Sequence, residues 1–305
     1  MNPLDLVNLN SISKFCFGCE PLGGTDWGKI DVRKIEDAIE KSLELGINFF
    51  DTADVYGLGL SESRLSDILG HKRHDLFIAT KGGVSWSQNN KQKRADVVID
   101  CSPKYLSQAV ENSLKRLKLE ILPIYFVHWP DDKVEFKETF NLLSELQLQE
   151  KIGLIGCSNF SDSQLLLASK YANISLVQLP INPLDSPLSK STQKICSANN
   201  IKIIAYNVLA SGLLTGKFKS STSFPNNDRR SRLENFKKEN FDMVYKKIKQ
   251  LEIEASELNL TILEYTIKWV LQKDNVLSVI NGIKNKQQAE NNINSLLKVT
   301  KLENE

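Results

Sequence analysis

Four side chains able to hold or move a proton sit at, or just past, the ends of short apolar runs: Asp51, Tyr56, Lys81 and His128. A carboxylate fixes an ammonium, and an ammonium draws a phenol, whose free pKa is about 10, toward ionisation. An imidazole can orient a polar substrate or help a proton transfer without adding charge. Ser158 and Asn159, Gln178 and Tyr206 occupy the same kind of position. Any one of these is absorbed by a structural ion pair or a satisfied core polar group. Their recurrence at run ends calls for an architecture that gathers strand ends in one place.

The rest of the chain supplies one. Strand-like runs at 14–19, 47–51, 76–81, 123–128, 152–156, 176–179, 201–206 and 276–280 alternate with helix-like segments at 32–45, 61–69, 103–117, 136–149, 162–171, 187–198, 262–272 and 286–297. Eight of each is the count of an α/β protein of the TIM (β/α)8 barrel class, where reactive groups collect at the carboxyl ends of the strands. In the first helix Asp31 is an N-cap, Ile35, Ala38, Ile39 and Leu43 recur at helical spacing, and Gly46 is a stop. Pro103 after Ser102 suits the first turn of another. Two insertions, 82–101 and 213–240, the second followed by an extra helix at 241–257, are expected as binding loops or lids at the carboxyl-terminal face. No linker or repeat divides residues 1–305, so one barrel domain is expected.

Charge and composition narrow the partners. With 39 Lys+Arg against 37 Asp+Glu the net charge is +2, which gives no footprint for nucleic acid or an acidic membrane. No apolar run approaches the roughly 20 residues that span a bilayer, and Met1 to Asp5 lack the opening of a signal peptide, so a cytoplasmic protein with a small soluble partner is expected. Five scattered cysteines argue for reduced thiols. Cys16 and Cys19 have the spacing of half a zinc site, but no second pair completes it and no metal is expected.

The run Phe50-Asp51-Thr52-Ala53-Asp54-Val55-Tyr56-Gly57, followed by Ser61-Glu62, resembles the signature of the aldo-keto reductases. The blocks Ala79-Thr80-Lys81, Tyr125 to Asp131, Lys151 to Phe160, Ala205-Tyr206 with Gly212 to Lys217, and Gly282 with Gln288 and Asn292 follow in that family's usual order. The resemblance implies a reductase that turns an aldehyde or ketone into an alcohol with a nicotinamide cofactor. Tyr56 is implied as general acid, Lys81 as the cation that lowers its pKa, Asp51 as the anchor of Lys81, and His128 as the neighbour of the carbonyl oxygen. A cation about 4 Å from the phenol interacts by roughly 4 kcal/mol at an effective dielectric near 20, or about 3 pKa units before other charges subtract.

Glycine-rich GxGxxG is absent, so a Rossmann-type phosphate cradle is not expected. By resemblance Ser158, Asn159 and Gln178 hold the nicotinamide carboxamide and Tyr206 stacks on the ring. Leu209, Gly212, Leu214, Gly216 and Lys217 wrap the pyrophosphate, with Arg229 as an added clamp, and Gly282, Lys284, Gln288 and Asn292 hold the adenosine end. Lys284 and Asn285 favour NADP (NADPH) over NAD through a 2′-phosphate. Two departures from the family pattern bear on the cofactor segments: Ile280-Asn281-Gly282 replaces Ile-Pro-Gly, and Asn207-Val208 replaces Ser-Pro. Trp27, Trp86 and Trp129 are candidate substrate walls, and Lys91, Lys93 and Arg94 are candidates to meet an anionic substrate. The competing class is a cofactor-binding regulatory subunit like the potassium-channel β subunits. Against it, only about a dozen residues precede the first expected strand, too few for a long arm to engage a channel.

Overall fold

The computed structural model describes residues 7–86, 97–218, 222 and 224–302; Lys91, Lys93 and Arg94 lie outside them. The strands are β1 (Phe15–Gly18), β2 (Phe49–Asp51), β3 (Phe77–Gly82), β4 (Val84–Trp86), β5 (Val97–Ile99), β6 (Leu122–Val127), β7 (Ile152–Ser158), β8 (Ile174–Pro180), β9 (Lys202–Tyr206) and β10 (Val276–Gly282). Eight of them close a parallel barrel in the order β1, β10, β9, β8, β7, β6, β3, β2. The helices are α1 (Val32–Glu44), α2 (Leu60–Leu69), α3 (Pro103–Leu117), α4 (Phe136–Leu148), α5 (Asp162–Ala168), α6 (Lys190–Ala198), α7 (Lys238–Glu257), α8 (Ile262–Leu271) and α9 (Lys286–Lys301). Among the described α-helices only α7 is additional to the barrel repeat, as expected for the extra helix.

Local signals set the helix ends. Asp31 caps α1 by accepting from the Arg33 N–H at 3.2 Å, and Ser102 caps α3 with Pro103 behind it. Ser161 with Gln164, and Thr261 with Glu264, close reciprocal capping boxes at α5 and α8. Three expectations shift. Residues 82–101 are not all loop, because β4 and β5 pair as a short antiparallel hairpin, Val84 opposite Ile99. Helix α6 starts at Lys190 rather than 187, since Ser189 caps it and an Asn182 to Ser186 bridge occupies the preceding turn. Helix α5 stops at Ala168, short of 171.

The alternation of a strand explains where the polar residues go. Side chains two residues apart share a face. Cys16, Phe49, Ala79, Ile124, Phe126, Leu154, Leu176, Ile204 and Ile280 form one buried cluster inside the barrel. Their neighbours in sequence, among them Phe17, Phe50, Ile78, Tyr125, Ile155, Val177, Ile203 and Val279, join the outer cluster beneath the helices. Two residues past the interior layer, on the same inward line, come Asp51, Lys81, His128, Gln178 and Tyr206. The candidate site is therefore the uppermost polar layer of the barrel filling. The same parity splits Cys16 and Cys19 between the two clusters as unbridged thiols. Among the described residues no group of acidic, cysteine or histidine side chains is arranged to hold a metal.

Gly156 makes room for this filling, since a β-carbon there would stand 2.3 Å from the Phe126 ring. Gly156→Ala is expected to reduce stability in urea denaturation by roughly 1–3 kcal/mol through overpacking. Adding Phe126→Leu should restore part of that loss, and strictly additive losses would contradict the packing argument.

Candidate active site

At the floor of the barrel mouth lies an ion pair taken out of water. The Lys81 ammonium is 2.6 Å from Asp51 Oδ1, and the two side chains are 2% and 5% exposed. Lys81 Nζ also donates to the Thr52 carbonyl at 2.9 Å, and Gln178 Nε2 donates to Asp51 Oδ2 at 2.5 Å. Both carboxylate oxygens are thus held, by residues from β3 and β8. Buried charges keep such a pair only when the remaining lone pairs and protons are bonded, and removing one partner costs about 3–5 kcal/mol. Gln178, expected to hold a carboxamide, donates its amide nitrogen to Asp51, which leaves its carbonyl oxygen as the atom for that role.

Tyr56 stands above this floor on the turn after β2. Gly57, at φ +61°, allows that turn, and a β-carbon there would lie 2.2 Å from the Gly23 carbonyl oxygen. Lys81 Nζ is 5.1 Å from the Tyr56 ring centroid, and the His128 ring meets the tyrosine edge-to-face at 5.8 Å. The expectation that Lys81 draws the phenol toward working pH is reversed. Burial, then the negative charges of Glu20 and Asp51, push the Tyr56 hydroxyl well above its ordinary value. The ammonium is already neutralised by Asp51, so its field does not compensate. The site thus stores a firmly protonated phenol, whose natural acceptor is an oxygen as basic as a developing alkoxide.

His128 has the opposite poise. Burial and the nearby Lys81 charge hold its pKa well below 6.5, so the ring is neutral at physiological pH. Its Nδ1 is buried and makes no hydrogen bond to the described residues. Its backbone is fixed by bonds from its N–H to the Gly82 carbonyl and from Asn159 Nδ2 to its own carbonyl, both 2.9 Å.

The strand ends beyond carry the remaining candidates. Asn159, at φ +65°, also donates to Ser158 Oγ at 3.1 Å and accepts from the Tyr206 hydroxyl at 2.5 Å. Ser158, Asn159 and Tyr206 therefore form one linked rim. After β9, Asn207 adopts φ +52° and accepts from the Ser211 N–H, starting a tight turn in which the Ala210, Gly212 and Leu214 N–H groups bond internally. Asn tolerates that conformation where the family's usual Ser-Pro does not stand. Those internal bonds remove four amides from the expected phosphate wrap; Gly216 and Lys217 stay exposed. Leu209 packs on the outer core. Leu214 is fully buried against Phe241, Val244 and Ile248, so its side chain does not face a cofactor. At the far end Gly282 is exposed, Asn292 is buried, and Gln288 accepts from the Lys284 N–H.

Two segments clasp across the mouth. Trp27 bridges Asp228, the Arg229 N–H donates to the Asp26 carbonyl at 2.8 Å, and Arg232 pairs with Asp26 at 2.7 Å. Arg229, Arg230 and Lys284 all lie within 6 Å of the Trp27 ring, and Lys284 Nζ donates to the Trp27 carbonyl. Three cations around one indole suit a polyanion such as a dinucleotide. Trp27 thus belongs to this clasp rather than to a free substrate wall. Trp86 lines a separate cavity of about 200 Å³ with Asp54, Tyr105 and Arg116. Trp129 follows His128 and is 44% exposed. A depression of about 580 Å³ lies by Gln147 and Asn173, at the amino-terminal end of β8, away from these groups.

The order of motifs and the barrel agree with a wider similarity. The aldo/keto reductase family model matches residues 14–305. The chain belongs to the aldo/keto reductase family. It is 30% identical over 281 residues to aldo-keto reductase YhdN of Bacillus subtilis, covering 91% of this chain and 83% of that one. It is 27% identical to an NADH-specific methylglyoxal reductase of Escherichia coli, covering 90% and 86%. The solved glycerol dehydrogenase AKR11B4 of Gluconobacter oxydans superposes with a TM-score of 0.82 at 30% identity, over 95% of this chain and 91% of that one. The family assignment makes the chain an oxidoreductase of small carbonyl compounds. No described helix is long and apolar enough to cross a membrane.

Sequence reasoning missed Glu20, whose carboxylate accepts from Arg229 Nη1 at 2.9 and 3.2 Å. Its signal was available, because it is the next inward position after Cys16 and Gly18 at the end of β1.

Because the folded state resists protonating His128, its contribution to stability is complete above about pH 6.5 and lost as the pH falls toward the lowered value. The chain has three histidines, and His71 and His74 are exposed. NMR titration is expected to show the His128 ring still neutral at pH 6. A His128 ring that charges at its ordinary value near pH 6.5 would contradict the assignment.

Proposed function

We propose that this chain reduces an aldehyde or ketone with a reduced nicotinamide dinucleotide, Tyr56 giving the proton to the carbonyl oxygen. The observation that carries the reading is the layered mouth: a neutralised Asp51–Lys81 pair bonded to Gln178 below, and a protonated phenol edge-on to a neutral imidazole above. When bound, the reduced nicotinamide supplies the hydride that no amino-acid side chain can. Tyr56 delivers its proton as negative charge grows on oxygen. His128, being uncharged, orients that oxygen without competing as an acid. Lys81, already paired with Asp51, adds little net charge beside the phenolate left behind, and Asp51 with Gln178 keeps the lysine from swinging toward solvent.

Ser158, Asn159 and Tyr206 are the residues proposed to hold the nicotinamide end, with Gly216, Lys217 and Arg229 along the phosphates. Arg229 suits this because its Nε and Nη2 hydrogens make no bond to the described residues. Gly282, Lys284, Gln288 and Asn292 are proposed for the adenosine end. The reading favours NADP over NAD because Lys284 and Arg230 bring positive charge to the segment proposed for the adenosine end; burial, then the Arg230 charge, lower the Lys284 pKa, and the Asp228 carboxylate partly offsets them. A relative named as NADH-specific makes the preference a question for measurement. Trp129 and the hairpin edge around Val97 are proposed as the substrate wall.

The test is a panel of aldehydes and ketones offered with NADPH and NADH carrying deuterium at the transferable position. Deuterium is expected at the carbinol carbon of the product. Oxidation of neither cofactor across the panel would contradict the proposal. Lys284→Ala should weaken NADPH by roughly tenfold more than NADH, from loss of one charge-assisted bond. Equal weakening would remove Lys284 from the 2′-phosphate.

A further inference from the structure

The charged groups on the floor beneath Tyr56 are both bonded and nearly inaccessible. Asp51 has both oxygens bonded, by Lys81 and Gln178, and Lys81 is bonded to Asp51 and to the Thr52 carbonyl. His128 is uncharged, and the Tyr206 hydroxyl is bonded to Asn159. Glu20 differs. It lies two residues past Gly18, which pairs with Asp51 on one side and Gly282 on the other, so it rises from the rim between β2 and β10.

Its backbone neighbours are fixed to the tyrosine's own segment. The Cys19 N–H donates to the Asp51 carbonyl at 2.8 Å, Ser61 Oγ donates to the Cys19 carbonyl, and Gly23 packs on the Tyr56 and Gly57 backbone so closely that a β-carbon would lie 2.7 Å away. The Glu20 side chain is held yet reachable: Arg229 grips it through one nitrogen, and 32% of it remains exposed. A carboxylate has about four acceptor positions, and Arg229 takes two. The Trp27 indole N–H, buried and without a well-formed hydrogen bond, adds its dipole to the same carboxylate. Glu20 also exerts the largest charge effect on Tyr56, and acts on Tyr206 as well.

We propose that Glu20 is a specificity-determining residue that selects hydroxylated carbonyls, accepting a hydrogen bond from a hydroxyl on a carbon next to the carbonyl while the carbonyl oxygen faces Tyr56. The inference rests on the reductase reading above. A partly desolvated carboxylate with unused acceptor positions gains from a hydroxyl donor and loses when an apolar methyl covers it instead. A site built to bond a substrate hydroxyl therefore discriminates against the analogue that lacks it far more strongly than an apolar pocket does. Arg229 links this choice to the cofactor side of the mouth, since one guanidinium holds Glu20 while its other hydrogens point elsewhere.

The experiment compares kcat/KM for glyceraldehyde against propanal, and for hydroxyacetone against butanone, in wild type, Glu20→Ala and Glu20→Gln. Each ratio is taken on one preparation, so a partly unfolded variant does not distort it. Wild type is expected to prefer the hydroxylated member by at least about tenfold. Glu20→Ala should erase most of that preference through KM, and Glu20→Gln, which keeps an acceptor oxygen, should restore part of it; any change in the propanal rate from the lost charge beside Tyr56 or the lost Arg229 contact cancels in the ratio. A ratio unchanged in Glu20→Ala, or absent from wild type, overturns this inference and leaves the reductase reading standing. Wild type that reduces no member of either pair overturns both.

Discussion

A buried ion pair between neighbouring strands is the constraint around which the mouth of this barrel is organised. Asp51 and Lys81 are both nearly inaccessible, and neither charge is tolerable there without the other. Gln178 crosses from β8 to take the second carboxylate oxygen, and the Thr52 carbonyl takes a second ammonium proton. These bonds exist only when the sheet is closed, because β2, β3 and β8 contribute one residue each. Closure of the barrel and assembly of the site are thus the same event.

The consequence for chemistry is a site poised by neutrality. The lysine's field is met at once by its aspartate, so the phenol above feels burial and Glu20 more than it feels Lys81. Tyr56 keeps its proton and His128 declines one, and each does so for the same physical reason: the charged form is poorly solvated at the mouth. In the proposed reaction, a carbonyl placed between them meets a donor that yields only to a strongly basic oxygen and a ring that adds no competing acid. That arrangement suits proton delivery coupled to hydride arrival better than delivery beforehand.

Much of this was legible from strand ends. The period-two alternation that places Ala79 inside places Lys81 inside as well, and the same holds for Phe49 with Asp51 and Phe126 with His128. Glu20 obeys the rule too, one residue past the run at 14–19 expected for the first strand. What resisted sequence reasoning depends on partners that only closure brings together. Gln178 turns to Asp51 because a buried carboxylate has an open oxygen there. Leu214 disappears into the packing of α7, and Trp27 is claimed by a clasp between segments about 200 residues apart in sequence. The Tyr56 pKa rises where the pairing with Lys81 alone predicts a fall, because burial and the Glu20 charge outweigh the ammonium.

The central claim is that the Tyr56 hydroxyl is the proton donor and that the floor beneath it does not depend on that hydroxyl. Tyr56→Phe tests it most directly, with kcat measured for carbonyl reduction and the cofactor dissociation constant measured by fluorescence on the same preparation. The account predicts a fall in kcat of two to four orders of magnitude, about what loss of a positioned general acid removes, with cofactor affinity changed by less than about threefold. Turnover near the wild-type rate would contradict it.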